Sequence, residues 1–131
     1  MKDLSECTVL IVDDTETNVD ILVDTLGEDY DIAVAMDGES ALEIAEEDLP
    51  DLILLDIMMP DMDGYEVCKR LKDNPETADI PVIFLSALTG ADEKQKGLEL
   101  GAVDFLTKPF NPSEIQDKVK EHLTASKNIE D

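Results

Sequence analysis

Asp51-Leu52-Ile53-Leu54-Leu55-Asp56-Ile57-Met58-Met59-Pro60-Asp61-Met62-Asp63-Gly64 decides the fold. Four apolar residues, Leu52 to Leu55, run without a polar break and end on the carboxylate of Asp56. A strand buried on both faces reads this way, because a parallel sheet is covered above and below. Pro60 and Gly64 then break the chain into a loop. The stretch predicts a central strand with Asp56 at its carboxyl end, the edge of an open α/β sheet where ligands and chemistry collect.

Two more runs of this kind occur. Val9-Leu10-Ile11-Val12 stops on Asp13-Asp14, and Val82-Ile83-Phe84-Leu85 stops on Ser86-Ala87. Two other segments alternate: Ile32, Val34 and Met36 against Asp31, Ala33 and Ala35, and Val103 and Phe105 leading to Lys108-Pro109. Between the strands lie helical patterns. Val19, Leu22, Val23 and Leu26 form the first, capped by Asp14 or Thr15 and ended by Gly27. Glu39 to Glu47 forms the second, with Ala41, Leu42, Ala45 and Leu49 inward, and Tyr65 to Lys72 the third, with Val67, Cys68 and Leu71 toward the sheet. Ala91 to Leu100 is the fourth, with a thin apolar stripe and a weakening Gly97. Ser113 to Leu123 is the fifth, with Ile115, Val119 and Leu123 spaced four apart. Five strands and five helices in strict alternation make an α/β, doubly wound five-stranded parallel sheet with helices on both faces. The alternating strands two and five are expected at the edges, which gives the order 2-1-3-4-5.

The 131 residues suit one domain, expected over 1–124 with a polar tail or linker start at 125–131. A net charge of -23, from 33 acidic against 10 basic residues, opposes binding of nucleic acid or an anionic membrane through the bulk surface. The start of the chain is polar, and no apolar run approaches the roughly 20 residues that span a bilayer. Cys7 and Cys68, read as small packing residues, suit a reduced cytoplasmic protein.

In the order 2-1-3-4-5 the first and third strands are neighbours, so Asp13, Asp14 and Asp56 converge. Three carboxylates repel and raise one another's pKa unless a cation intervenes, and oxygen ligands with room for water suit Mg2+ or Mn2+. The blander reading, that Asp13 and Asp14 only cap the next helix, leaves one of them and Asp56 unexplained. Ser86 and Lys108 end the fourth and fifth strands at the same edge and bring a hydroxyl and an ammonium. Together these groups suit a phosphoryl group, with Asp56 carrying the nucleophilic oxygen.

The combination resembles the receiver domain of bacterial two-component response regulators, a CheY-like and flavodoxin-like fold, from Val9 to Leu123. It rests on Val12-Asp13-Asp14, Asp56-Ile57-Met58-Met59-Pro60 with Gly64, Ser86-Ala87, and Lys108-Pro109-Phe110. The resemblance implies Asp56 as phosphoacceptor; Asp13, Asp14, Asp56 and the Met58 carbonyl as ligands of Mg2+; Ser86 as switch hydroxyl; Lys108 as phosphate-binding lysine; Phe105 as switch aromatic; and a cis bond before Pro109. It implies Met58 and Leu88 as the side chains that shield the aspartyl phosphate from water. It also implies a histidine kinase or histidine phosphotransfer protein as donor. The receiver would be no enzyme beyond its own phosphorylation and dephosphorylation. A downstream output domain or partner protein would read a face made by the fourth helix, fifth strand and fifth helix. Direct nucleic-acid or membrane contact is not expected, and a phosphorylation-dependent dimer is left open.

Three rivals stand beside it. A haloacid dehalogenase-like phosphatase needs a second acid where Met58 stands. A flavodoxin-like electron carrier needs flanking aromatics, and Asp13-Asp14-Thr15-Glu16 would repel its flavin phosphate. A receiver fragment of a hybrid kinase or of a multidomain regulator with enzymatic output shares the same chemistry. His122, the lone histidine, is expected in the last turn of the last helix, favouring its negative dipole end.

Overall fold

A computed structural model describes residues 6–59, 62–86, 91–108 and 110–127. The chain alternates β1 (Thr8–Val12), α1 (Glu16–Leu26), β2 (Asp31–Ala35), α2 (Gly38–Asp48), β3 (Leu52–Asp56), α3 (Gly64–Asp73), β4 (Val82–Ser86), α4 (Ala91–Glu99), β5 (Asp104–Thr107) and α5 (Pro112–Lys127). The sheet is parallel throughout, in the order β2-β1-β3-β4-β5. This is the expected doubly wound topology.

Residues of the central strands are committed alternately to two cores. Val9, Ile11, Leu52, Leu54, Ile83 and Leu85 pack with Leu22 and Leu26 of α1 and with Ile115, Val119 and Leu123 of α5. Leu10, Val12, Ile53, Leu55 and Phe84 pack with Ala41 and Ala45 of α2 and with Val67, Cys68 and Leu71 of α3. Each large aliphatic side chain buried in this way contributes about 1.5–3 kcal/mol, which is why the central strands carry no polar alternation.

The edge strand β2 serves both cores, with Ile32 partly buried against the α1 and α5 side. Register pairs Leu10 with Ala33 and Val12 with Ala35, so these alanines face the α2 side, where Ala35 is buried. Val34 and Met36 are 37% and 41% exposed, because an edge strand has only one neighbour to help cover it. Leu49 also departs from the expected inward position. It is an exposed helix terminator at φ 47°, and the following Pro50 bars it from continuing α2.

Other helix ends are corrected by geometry. Thr15 is the N-cap of α1 but its side chain makes no cap bond; Asp13 Oδ1 accepts the Thr15 N–H at 2.9 Å instead. Asp63 caps α3, its Oδ1 accepting from Glu66 N at 2.9 Å. α5 runs on to Lys127, so His122 is not in its last turn; it meets Asp104 on β5 rather than the helix dipole. Gly97 is not a weak point. A Cβ there would fall 2.5 Å from Phe105 Cζ and 2.8 Å from Phe84 Cδ2, so its absence is what lets α4 lie on these two rings.

Candidate functional site

The carboxyl edge of the sheet carries the site. Asp56 is the last residue of β3 and only 1% exposed. Its Oδ1 accepts hydrogen bonds from Lys108 Nζ at 3.1 Å and from Met58 N at 3.3 Å. Asp13 directly follows β1; its main-chain N–H bonds Ala35 O, and its side chain is fully buried. Oδ1 turns back to the Thr15 amide, whereas Oδ2 is buried with no hydrogen-bond partner, 3.5 Å from Lys108 Nζ. Asp14 is exposed beside them, and one carboxylate oxygen from each of Asp13, Asp14 and Asp56 lies within 4.8 Å of the others.

Backbone positions the cationic and hydroxyl groups. Register sets Asp56 opposite Leu85 and Ser86 opposite Thr107, so Ser86 sits one residue beyond the level of Asp56 on the neighbouring strand. Ser86 is buried. Lys108 N donates to Ser86 O at 2.8 Å, which carries the β4–β5 ladder past the end of β5 and aims the lysine back over the edge. The loop after Asp56 is drawn in by Gly64, whose N–H bonds Ile57 O at 2.9 Å. A Cβ on Gly64 would collide with the Asp56 carbonyl oxygen and come within 2.8 Å of Ile57 Cα. Gly64 is thus more than the loop breaker its residue type suggests: the lack of a side chain lets the loop close onto the end of β3.

Burial, and then the charge of Asp13, push the Asp56 carboxyl up to about 6, with the Lys108 bond and charge and the Met58 amide pulling the other way. A buried acidic pair with one oxygen left unpartnered fits a hard divalent cation, which takes oxygen ligands and neutralises them. Asp13, Asp14 and Asp56 are the side chains that would hold it. The Met58 side chain is 65% exposed, and what it presents to the site is its main chain.

Phe105 already points inward, 9% exposed, with its ring 5.7 Å from that of Phe84 and tilted by 40°. Residues 87–90, including Leu88, and Pro109 with its peptide bond lie outside the described residues. Asp56, Asp13, Asp14, Lys108 and Ser86 are thus assembled at one edge, while Phe105 lies one layer beneath, against α4.

Comparison with known proteins agrees with this geometry. Residues 9–120 match the family model for the response regulator receiver domain. The response regulator PleD of Caulobacter vibrioides is 54% identical over 104 residues, 79% of this chain and 23% of PleD. A "Probable cyclic di-GMP phosphodiesterase" of Vibrio cholerae is 46% identical over 123 residues, 94% of this chain and 28% of that protein. The chain therefore spans about a quarter of the length of these two relatives. Among solved structures, the chemotaxis protein CheY4 of Vibrio cholerae superposes with a TM-score of 0.85 at 32% identity, covering 88% of this chain and 98% of that one. The signal receiver domain of a histidine kinase from Syntrophus aciditrophicus gives 0.85 at 37% identity, covering 95% of each. With its sheet order, its acidic edge and these relatives in agreement, the chain belongs to the response regulator receiver domain family.

Proposed function

We propose that Asp56 accepts a phosphoryl group from the phosphohistidine of a histidine kinase or phosphotransfer protein. The observation that carries this reading is a fully buried carboxylate at the end of the central strand, touching Lys108 and set against Asp13. An Asp56 oxygen forms a bond to phosphorus as the phosphorus–nitrogen bond breaks; the electron pair stays on the donor imidazole, which takes up a proton. Lys108 holds the carboxylate in place beforehand and is positioned to pair with the phosphoryl oxygens afterwards. The Ser86 hydroxyl supplies a further donor at the same edge. Bound at Asp13, Asp14, Asp56 and the Met58 carbonyl, Mg2+ (or Mn2+) would offset the charge of the incoming phosphoryl group. Ser86 and Phe105 would relay its arrival to the face formed by α4, β5 and α5, where an output domain or partner protein reads it.

The test is intact-mass spectrometry after incubation with acetyl phosphate and Mg2+. One phosphoryl group is expected on the wild type and none on Asp56→Asn; stable labelling of His122 or of a serine would overturn the assignment.

A second reading concerns context rather than chemistry. The curated relatives extend far beyond the matched region, and one is named for a cyclic di-GMP phosphodiesterase. A receiver spanning 1–124, followed by a linker to an enzymatic output, is consistent with that length difference. Reading the gene beyond Asp131 tests it. Among the described residues no helix is long and apolar enough to cross a membrane; membership in the receiver domain family supports placing the domain in the cytoplasm, where a kinase can reach it.

A further inference from the structure

A second polar cluster lies away from the acidic edge, where β5 meets α5. Asp104 opens β5, and its two oxygens are divided among three partners: Oδ1 accepts from Lys118 Nζ at 2.8 Å and from the Phe105 N–H at 2.7 Å, and Oδ2 lies 2.9 Å from His122 Nε2. Lys118 Nζ also donates to the Phe105 carbonyl at 2.9 Å, so the carboxylate is held in a fixed orientation. His122 has a side chain only 19% exposed and is the one histidine in the chain. Glu121 stands beside it at the surface, and one ligand atom from each of Asp104, Glu121 and His122 lies within 4.8 Å of the others.

We propose that Asp104, Glu121 and His122 form a second metal site, selective for a borderline divalent cation of the Zn2+ class and distinct from the magnesium pocket at Asp56. Donor chemistry carries the selectivity. An imidazole nitrogen with two carboxylates is a donor set for zinc and its neighbours, whereas magnesium takes oxygen ligands and water.

Spacing needs only a small adjustment. With bonds of roughly 2.0–2.2 Å, adjacent ligand atoms around a tetrahedral zinc stand about 3.3–3.6 Å apart. The Nε2–Oδ2 pair, at 2.9 Å, would open by about half an ångström as the cation replaces the proton the two now share. Lys118 remains on Oδ1 and keeps the ligating carboxylate aligned, as outer partners of metal ligands do. The protein's net charge of -23 draws cations to its surface. Once bound, the ion would pin β5 to α5 immediately beside Phe105.

The lone histidine makes the test clean. The imidazole resonances of the full chain are followed by NMR during a Zn2+ titration in saturating Mg2+, which occupies the acidic edge. Stoichiometric Zn2+ is expected to move them, and the shift is expected to be lost in Asp104→Asn. Glu121→Gln leaves the His122–Asp104 contact intact and removes only a ligand; it should weaken Zn2+ binding at least about tenfold. Imidazole resonances unmoved at tenfold excess Zn2+ would overturn the site. So would an unchanged affinity in Glu121→Gln, which would mark the cluster as a hydrogen-bonded clamp without a metal. Amide dispersion in the same spectra verifies that each variant is folded.

Discussion

Replacing Asp56 by Asn should stabilise the metal-free protein, and the size of the gain should depend on pH. Burial and the Asp13 charge raise the Asp56 carboxyl to about 6 in the folded chain, against about 3.9 when unfolded. A raised carboxylate pKa means that the folded state holds its proton more tightly, so this group's penalty is absent at low pH. It grows as pH rises through the unfolded value and is complete above the folded one. Two units of difference correspond to a penalty of about 3 kcal/mol at pH 7.5, falling to roughly half of that at pH 5.0. Asparagine keeps an acceptor for Lys108 and for the Met58 amide while removing the charge. Urea denaturation in EDTA at pH 7.5 and 5.0, comparing wild type with Asp56→Asn, measures the difference for Asp56 together with the Asp13 and Lys108 charges it touches, because the titrating groups away from this edge are common to both. The variant should be more stable by about 1–3 kcal/mol at pH 7.5 and by roughly half as much at pH 5.0. Equal stability at pH 7.5, or a gap that does not shrink with acid, would refute the electrostatic account of this edge.

Gly97→Ala should destabilise by about 1–3 kcal/mol through overpacking against Phe84 and Phe105, where helix propensity alone favours alanine by about 1 kcal/mol; the sign in a thermal or urea melt decides between the two. Asp13→Asn should weaken Mg2+ binding, seen as a smaller Mg2+-induced gain in urea midpoint than in the wild type. Lys108→Ala should still accept phosphate at Asp56, yet show no beryllofluoride-induced change in amide exchange over residues 91–107; the wild type should show one.

Much of this architecture was legible because central parallel strands leave a plain mark: Leu52 to Leu55, Val9 to Val12 and Val82 to Leu85 are unbroken apolar runs, each stopping at a residue of the site or just before one. The edges were harder. At β2 the alternation marked an edge strand without saying which residues it buries; Val34 and Met36 stay exposed while contact with α2 selects the small Ala33 and Ala35, a preference set by the closeness of another element and invisible to hydrophobicity. Gly97 misled for the same reason: an isolated helix reports its propensity cost, and only the neighbouring rings reveal its packing use. The convergence of Asp13, Asp14 and Asp56 followed from strand order alone. The union of Asp104 with Lys118 and His122 did not, since it depends on how α5 rotates against β5 and on a helix longer than its apolar spacing indicated.

The 2.8 Å bond from Lys108 N to Ser86 O has a mechanical meaning. The hydroxyl and the ammonium that would grip a phosphoryl group hang from two different strands, yet this bond fastens their main chains together. Neither segment of main chain can shift far by itself without stretching it. A pull on Ser86 is therefore passed to Lys108, and through Thr107 and Leu106 to Phe105, as tension along one connected backbone rather than as separate adjustments. A receiver wired in this way would answer a single covalent event in one stroke, with little room for a half-engaged state.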